Sequence, residues 1–264
     1  MSTTAESAIT AHGMFDLRGR LAVVTGANRG IGFAMAEALA LAGADIVGVS
    51  RTLKVPGSEI GAAVERLGRR FTGYQVDLLD RSAVQELCET LAALPWPVDI
   101  LVNNAGVIER EPATTHGLDA WDRVLQVDLW APFVLAQAVG RSMLERGSGK
   151  VIFTASLLSF QGGIHVPSYT AAKSAVMGLT KALANEWAGS GVNVNAIVPG
   201  YIETDNTMAL REDAGRSAEI LRRIPAGRWG CPADLGGVAV FLASDAAAYV
   251  HGATIAVDGG WLGR

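Results

Sequence analysis

Residues 21–32 form the stretch LAVVTGANRGIG, in which five residues of β-strand character lead into a turn with three glycines. A helical pattern begins directly after this turn. Glycines let the backbone turn sharply and approach a ligand, and a helix N-terminus offers free N–H groups to an anion. The spacing is Gly-x-x-x-Gly-x-Gly rather than the Gly-x-Gly-x-x-Gly of the standard fingerprint. A turn with purely steric duties is the alternative, but the strand–turn–helix context favours a site for the pyrophosphate of a dinucleotide.

Short apolar runs and longer helical stretches alternate along the whole chain. The apolar residues of most runs are consecutive, which is typical of strands buried on both faces of a parallel sheet. The sequence therefore predicts a single-domain α/β fold, a Rossmann-type, doubly wound parallel sheet of seven strands flanked by helices. The predicted strands are 21–25, 45–50, 71–76, 98–102, 151–155, 192–198 and 254–257, and the predicted helices are 31–42, 58–67, 81–94, 118–145, 168–189 and 233–243.

The amino-acid composition excludes several classes of protein. Half of the 264 residues are apolar, 18% are charged and the net charge is −4. A large core is therefore possible, and a nucleic-acid partner is not expected. No uncharged apolar run approaches the roughly 18 residues of a membrane helix. The polar segment 1–13 is predicted to be a flexible tail before one domain at 14–264. Cys88 and Cys231 lack metal-type spacing, so we expect no metal site, reduced thiols and a cytoplasmic location.

The segment 199–232 departs from the strand–helix alternation. It contains Pro199, Gly200, Pro225 and Pro232 and no strand pattern, while 206–224 has helical character. A long insertion late in such a fold is either a lid over a ligand site or a disordered loop. The helical character favours a helical substrate lid at about 200–230.

The end of the second predicted strand indicates which dinucleotide binds. An acidic residue there hydrogen-bonds the ribose of NAD, whereas a basic residue accommodates the 2′-phosphate of NADP. The sequence has Ser50 and Arg51 at this point, and Arg29 lies in the glycine turn. Both arginines could be ordinary surface charges, but together they favour NADP(H), with NAD(H) as the alternative. Asp77, after the third strand, is expected either at the adenine ring or as the N-cap of the next helix.

Three side chains form a candidate catalytic group. Tyr169 and Lys173 are four residues apart in a helical pattern and share one face, and Ser156 follows the fifth predicted strand. The ligand crevice of a parallel sheet lies at the carboxyl ends of its strands. A phenol beside an ammonium has a lowered pKa and can act as acid or base, while a serine hydroxyl can donate a hydrogen bond to a substrate oxygen.

These motifs resemble the short-chain dehydrogenase/reductase family over about residues 15–264. The stretch at 25–32 looks like the family's cofactor motif, and Asn103-Asn104-Ala105-Gly106 looks like its structural motif. The active-site set of the family corresponds to Ser156, Tyr169 and Lys173. The family's motif after the sixth strand corresponds to Pro199-Gly200, with Thr204 nearby. The implied cofactor-binding residues are Gly26, Asn28, Arg29, Gly30, Ile31, Gly32, Ser50, Arg51, Asp77, Leu78, Asn104, Ala105, Gly106, Tyr169, Lys173, Pro199, Gly200, Ile202 and Thr204.

The C-terminal half is similar to one group within this family. Residues 159–164 (SFQGGI), 184–188 (ANEWA), 224–230 (IPAGRWG) and 255–262 (IAVDGGWL) carry the likeness. The group oxidises a secondary alcohol of a keto-deoxy sugar acid and is generally NAD-dependent and homotetrameric. The resemblance thus implies a small-molecule substrate and a homotetramer. A reductase of 3-oxoacyl groups on a carrier protein, or another polyol or ketone reductase, remains open. A cofactor-binding regulator without chemistry is disfavoured, because the serine, tyrosine and lysine are all present.

Three positions depart from the pattern of the family or of this group, and one of them is Arg51, which favours NADP(H) against the group's usual NAD. Asp128 stands where the family usually has an asparagine whose main-chain carbonyl holds a water linked to the lysine. We place Asp128 in the catalytic set, because aspartate keeps that carbonyl, and we expect its charge to alter nearby pKa values. His165 stands where the sugar-acid group is expected to have an arginine. Gln161, His165 and Asn206 are the predicted substrate contacts.

Overall fold

The structure is a computed structural model that describes residues 11–264, without the side chains of residues 11 and 12. The predicted tail at 1–13 therefore lies mostly outside the described residues. The first described element is a short helix, α1 Ala11–Met14.

Seven parallel strands form one sheet in the order β3-β2-β1-β4-β5-β6-β7, so the predicted fold is confirmed. The strands are β1 Leu21–Thr25, β2 Asp45–Ser50, β3 Phe71–Gln75, β4 Ile100–Asn103, β5 Gly149–Thr154, β6 Val192–Pro199 and β7 Thr254–Val257. The helices between and after them are α2 Gly30–Leu41, α3 Glu59–Arg66, α4 Arg81–Ala92, α5 Leu118–Leu125, α6 Ala131–Arg146, α7 Pro167–Trp187, α8 Met208–Glu212, α9 Ala214–Arg223 and α10 Gly236–Ala243.

The two faces of the sheet are covered by different helices. Val23, Val151 and Val194 belong to a cluster on the face of α4, α6 and α7, whereas Ala22, Ile152 and Ile197 belong to a cluster on the face of α2, α3 and α10. Burial of each valine or isoleucine side chain stabilises the folded state by about 1.5–3 kcal/mol. The edge strands differ from the prediction that strands are buried on both faces. β3 exposes Thr72 and Gln75, because a single neighbouring strand and fewer helices cover an edge.

The predicted helix at 118–145 is interrupted. α5 and α6 are joined by a π-helical segment, Gln126–Trp130. Pro132 in the first turn of α6 has no N–H and its ring crowds the carbonyl four residues earlier, which belongs to Asp128. The widened turn thus leaves the main-chain carbonyl of Asp128 without its ordinary helical partner, and such turns often occur at functional sites.

The segment after β6 is helical, as predicted for the lid. A short 3₁₀ turn, Asp205–Thr207, leads into α8 and α9. Asp213 separates these helices and accepts a hydrogen bond from the N–H of Arg216 at 3.0 Å. In residues 11–264 no helix is long and apolar enough to cross a membrane.

Candidate active site

The parallel register brings the carboxyl ends of β1, β4, β5 and β6 to one edge of the sheet. Gly26, Asn104, Ser156 and Gly200 follow these strands closely. The sequence placed all four in the candidate site, and the fold brings them to the same edge.

The glycine turn has the shape that a dinucleotide pyrophosphate needs. Gly26 and Gly30 have φ values of +69° and +55°, and a Cβ at Gly32 would lie 2.2 Å from the carbonyl oxygen of Gly26. Asn104 fixes the turn, since its side-chain amide donates to the Thr25 carbonyl at 3.1 Å. No side chain caps the N-terminus of α2 at Arg29, so its N–H groups stay available to an anion. The described residues therefore fit a dinucleotide.

The end of β2 is tied to the glycine turn. Ser50 Oγ donates to Asn28 Oδ1 at 2.7 Å, and Asn28 Nδ2 donates to Thr52 Oγ1 at 2.8 Å. The Arg51 side chain is exposed and has no ion-pair partner among residues 11–264. Arg29 instead forms an ion pair with Asp205 of the lid at 2.5 Å, in which both side chains are about two-thirds exposed (68% and 65%). No feature of the local sequence predicts this contact.

Asp77 does not cap the helix that follows it, so that alternative is wrong. Its Oδ1 accepts from the N–H of Leu79 at 3.0 Å. Asp80 is the N-cap of α4 and accepts from Ser82 and Ala83 at 2.9 and 3.2 Å. Asp80 lies three residues after Asp77, and its extended backbone directly precedes the first residue of α4, which is the position of an N-cap. Leu78 is buried, and its carbonyl accepts from Gln126 at 3.2 Å.

Lys173 lies at the centre of the catalytic group. Its side chain is buried, and Nζ donates to the Thr154 carbonyl at 3.0 Å. The same atom lies 3.2 Å from Asp128 Oδ2 and 5.5 Å from the centre of the Tyr169 ring. Ser156 follows β5 and begins the adjoining 3₁₀ turn, where its Oγ accepts from Leu158. Ser156, Tyr169 and Lys173 are thus brought together as the sequence predicted.

The carboxylate of Asp128 has a larger role than the sequence indicated. It is fully buried, Oδ1 accepts from the N–H of Val107 at 2.8 Å, and Oδ2 faces Lys173. Gly106 makes room for it, since a Cβ there would lie 2.9 Å from Oδ2. Burial raises the pKa of Asp128, and Lys173 opposes that rise. Burial acts to lower the pKa of Lys173, but the charges of Asp128 and Tyr169 and the hydrogen bond to Asp128 together outweigh it, so the pKa of Lys173 is raised.

Burial raises the pKa of the Tyr169 phenol, and the charge of Asp128 raises it further. Lys173, Ser156 and Arg110 act in the opposite direction. Lys173 lowers the pKa of Tyr169 as expected, but the net shift of that pKa is upward when only the groups of the protein act on it. An additional positive charge in the site would favour the phenolate.

The predicted substrate residues lie at the boundary between the lid, at about 200–230, and the rest of the domain, which we call the body. Gln161 Oε1 accepts from Trp261 Nε1 at 3.3 Å and from Arg223 of α9 at 3.4 Å. His165 has a left-handed backbone (φ 62°) and an exposed side chain, and its carbonyl accepts from the N–H of Glu111 at 2.8 Å. The carbonyl of Asn206 accepts from Arg110 at 3.0 Å. Sequence reasoning missed Arg110, because no motif marks it.

The fold and this site define a nicotinamide-dependent oxidoreductase, and comparison with known proteins agrees. A family model described as enoyl-(acyl carrier protein) reductase matches residues 26–262. The chain belongs to the short-chain dehydrogenase/reductase family, whose members act on CH–OH groups with NAD(P).

Among its relatives, the 2-dehydro-3-deoxy-D-gluconate 5-dehydrogenase of Pseudoalteromonas atlantica is 59% identical over 250 residues, which cover 95% of this chain and 98% of the relative. The enzyme of the same name from Bacillus subtilis is 54% identical over 253 residues, 96% of this chain and 98% of the relative. A solved gluconate 5-dehydrogenase from Burkholderia cenocepacia, in complex with NADP and tartrate, has a TM-score of 0.91 at 38% identity and covers 97% of this chain and 100% of its own. The 3-oxoacyl-(acyl-carrier-protein) reductase of Escherichia coli is 38% identical over 247 residues, 93% of this chain and 98% of the relative.

Proposed function

We propose that this protein transfers hydride between a nicotinamide dinucleotide and a secondary alcohol or ketone of a sugar acid, with 2-dehydro-3-deoxy-D-gluconate as the substrate. The observation that carries the proposal is the buried Lys173 ammonium beside the Tyr169 ring, at the sheet edge that also holds Ser156 and the glycine turn. The names of the relatives that are 54% and 59% identical support the choice of substrate.

A bound nicotinamide supplies the hydride acceptor for oxidation and adds a positive charge to the site. Tyr169, as the phenolate, accepts the proton of the substrate hydroxyl. Ser156 donates a hydrogen bond to the substrate oxygen and fixes its position. Lys173 stabilises the phenolate by its charge and would hold the ribose next to the nicotinamide. Asp128 keeps Lys173 charged and in place, at 3.2 Å between Oδ2 and Nζ.

NADP(H) is the cofactor that we favour. Arg51 is exposed at the end of β2 without a carboxylate partner among the described residues, so its guanidinium can bind a 2′-phosphate. Arg29, in the glycine turn, would add a second positive charge near this phosphate while it stays paired with Asp205. The relative from Burkholderia cenocepacia was solved with NADP, which supports the same choice. NAD(H) is the alternative.

Residues 14–264 would act as a single domain in a cytoplasmic homotetramer. The last strand, β7, pairs with β6 alone among the described strands, and Tyr249 nearby is 99% exposed. A strand edge and an exposed aromatic ring are features that a subunit contact covers. The two free thiols of Cys88 and Cys231 suit a reducing compartment.

A second candidate is the reduction of 3-oxoacyl groups on an acidic carrier protein. The description of the matching family model and the Escherichia coli relative favour it. Such an enzyme needs a basic docking surface near the site. The lower identity of this relative, 38% against 59%, makes it the weaker candidate.

Substrate preference tests the proposal. The kcat/KM of the purified protein is measured for oxidation of 2-dehydro-3-deoxy-D-gluconate and of a neutral polyol, and for reduction of a 3-oxoacyl thioester. We expect the sugar acid to exceed the polyol by about 100-fold, since charge-assisted hydrogen bonds favour the acid, and the thioester to be reduced poorly. Efficient reduction of the thioester with no oxidation of the sugar acid would contradict the proposal and favour the second candidate.

A further inference from the structure

The segment that follows β4 is anchored at both ends to the candidate site. Asp128 Oδ1 accepts from the N–H of Val107 at 2.8 Å. At the other end, the N–H of Glu111 donates to the carbonyl of His165 at 2.8 Å, four residues before Tyr169. Arg110 lies between these anchors, so its backbone position is fixed relative to the catalytic group.

The Arg110 guanidinium is exposed and faces the lid. Its Nη2 donates to the main-chain carbonyl of Asn206 at 3.0 Å. A second arginine approaches the same part of the lid, because Arg211 Nη2 donates to the carbonyl of Thr204 at 3.3 Å. The two guanidinium groups therefore bind main-chain carbonyls that are two residues apart in the chain.

Neither arginine has a carboxylate partner among residues 11–264. The acids around Arg110 are engaged elsewhere, since Glu109 pairs with Arg123 at 3.3 Å and Glu111 accepts from the N–H of Gly117 at 3.1 Å. Asp205, at the start of the lid, pairs with Arg29. Arg211 also keeps its Nε shielded from solvent with no hydrogen-bond partner in the described part of the chain. Two positive charges are thus left uncompensated by acids at the mouth of the site.

We propose that Arg110 binds the carboxylate of the substrate, and that Arg211 completes a two-arginine anion site where the body meets the lid. The proposal rests on the proposed function and deepens it by assigning the group that selects an acid over a neutral sugar. In 2-dehydro-3-deoxy-D-gluconate the carboxylate is four carbon–carbon bonds from the carbon that is oxidised, so the proposal requires that a carboxylate bound at Arg110 leaves that carbon at the Tyr169 hydroxyl. The electrostatic influence of Arg110 on the Tyr169 phenol fits this proximity. The site also accounts for acid recognition with histidine at position 165.

Steady-state kinetics with a charged and an uncharged substrate tests the assignment. The variants are Arg110→Gln, Arg110→Lys and the control Arg66→Gln, which removes an equal charge from the far end of α3. Each is assayed with the sugar acid and with its 1-amide, which keeps the hydroxyls and lacks the charge. For Arg110→Gln we expect KM for the acid to rise about 10- to 100-fold with KM for the amide nearly unchanged, because a charge-assisted hydrogen bond is lost.

Arg110→Lys should recover part of the affinity for the acid, Arg211→Gln should show a smaller loss, and Arg66→Gln should behave as the wild type. If Arg110→Gln raises KM equally for acid and amide, Arg110 merely supports the lid and the assignment is wrong. The assignment would also be overturned if Arg110→Gln changed neither the KM for the acid nor the KM for the amide.

A binding measurement separates failure of this assignment from failure of the proposed function. The protein saturated with NADPH is titrated calorimetrically with gluconate and with gluconamide, because the reduced cofactor cannot oxidise either ligand during the measurement. We expect Arg110→Gln to weaken gluconate about 10-fold or more and to leave gluconamide unchanged. Wild-type protein that binds gluconate through Arg110 but does not oxidise the sugar acid would contradict the proposed function alone. Equal binding of gluconate by wild type and variant would contradict the assignment.

Discussion

Tyr169 is the side chain on which proton transfer depends in the proposed reaction. Phenylalanine keeps the ring and removes the hydroxyl, so Tyr169→Phe should lower kcat about 10²- to 10⁴-fold, the usual contribution of a general acid or base. The dissociation constant of NADP should change little, as measured by quenching of tryptophan fluorescence. Tyr249→Phe is a matched control, because it also removes only a hydroxyl and keeps the ring that the proposed subunit contact would cover. Normal turnover in the Tyr169 variant would show that another group moves the proton.

Asp128 gives this site a buried negative charge, and its effect on pH dependence has a definite sign. The charge raises the pKa of Tyr169, so its removal lowers that pKa. Oxidation needs the phenolate, and the rise of kcat/KM with pH should therefore occur at lower pH in Asp128→Asn than in wild type. The measurement is a pH profile of kcat/KM, with Asp119→Asn as the control because Asp119 is exposed on α5. An unchanged profile, or a shift to higher pH, would contradict this role.

Local sequence predicted the residues whose roles depend on their own strand or helix. Tyr169 and Lys173 share a helix face, and Ser156 follows a strand, so their meeting follows from periodicity and parallel topology. The contacts of Arg29 and Arg110 could not be predicted, because they join residues 176 and 96 positions apart. Nothing in the local pattern indicates which surface charges the lid will meet.

At the level of the elements, β1, β2 and β7 begin and end at the predicted residues. Consecutive apolar residues between polar or glycine boundaries make such strands easy to delimit. The predicted helix at 118–145 is wrong at its middle, because Pro132 accompanies a π-helical segment that the apolar periodicity does not indicate. That segment carries Asp128, so the interruption lies at a residue that the sequence already places in the catalytic set.

In the proposed function, Arg51 in the turn after β2 selects NADP(H) over NAD(H). Arg51→Gln removes an exposed positive charge without touching the network of Asn28 and Ser50. We expect kcat/KM for NADP⁺ to fall about 10- to 100-fold, because a charge-assisted hydrogen bond to the 2′-phosphate is lost. The value for NAD⁺ should change less than about 3-fold, within the context dependence of such an exposed site. An equal fall in kcat/KM for both cofactors would show that Arg51 does not bind the 2′-phosphate.

At the level of the whole molecule, one sheet separates two hydrophobic clusters, and the strands between them are shared. We therefore expect residues 14–264 to unfold together, with coincident denaturation curves from tryptophan fluorescence and far-ultraviolet circular dichroism. NADP at 100 times its dissociation constant should stabilise the native state by about 2.7 kcal/mol. Two separated transitions, only one of them shifted by NADP, would contradict a single domain.

In the proposed function, the site at the carboxyl edge of the sheet oxidises a sugar acid with a nicotinamide dinucleotide. The most direct test supplies 2-dehydro-3-deoxy-D-gluconate to the wild-type protein and follows reduction of NAD⁺ and NADP⁺ in parallel by near-ultraviolet absorbance. We expect clear turnover, with a higher kcat/KM for NADP⁺ than for NAD⁺. No turnover with either dinucleotide, in a protein that still binds the nucleotide, would contradict it.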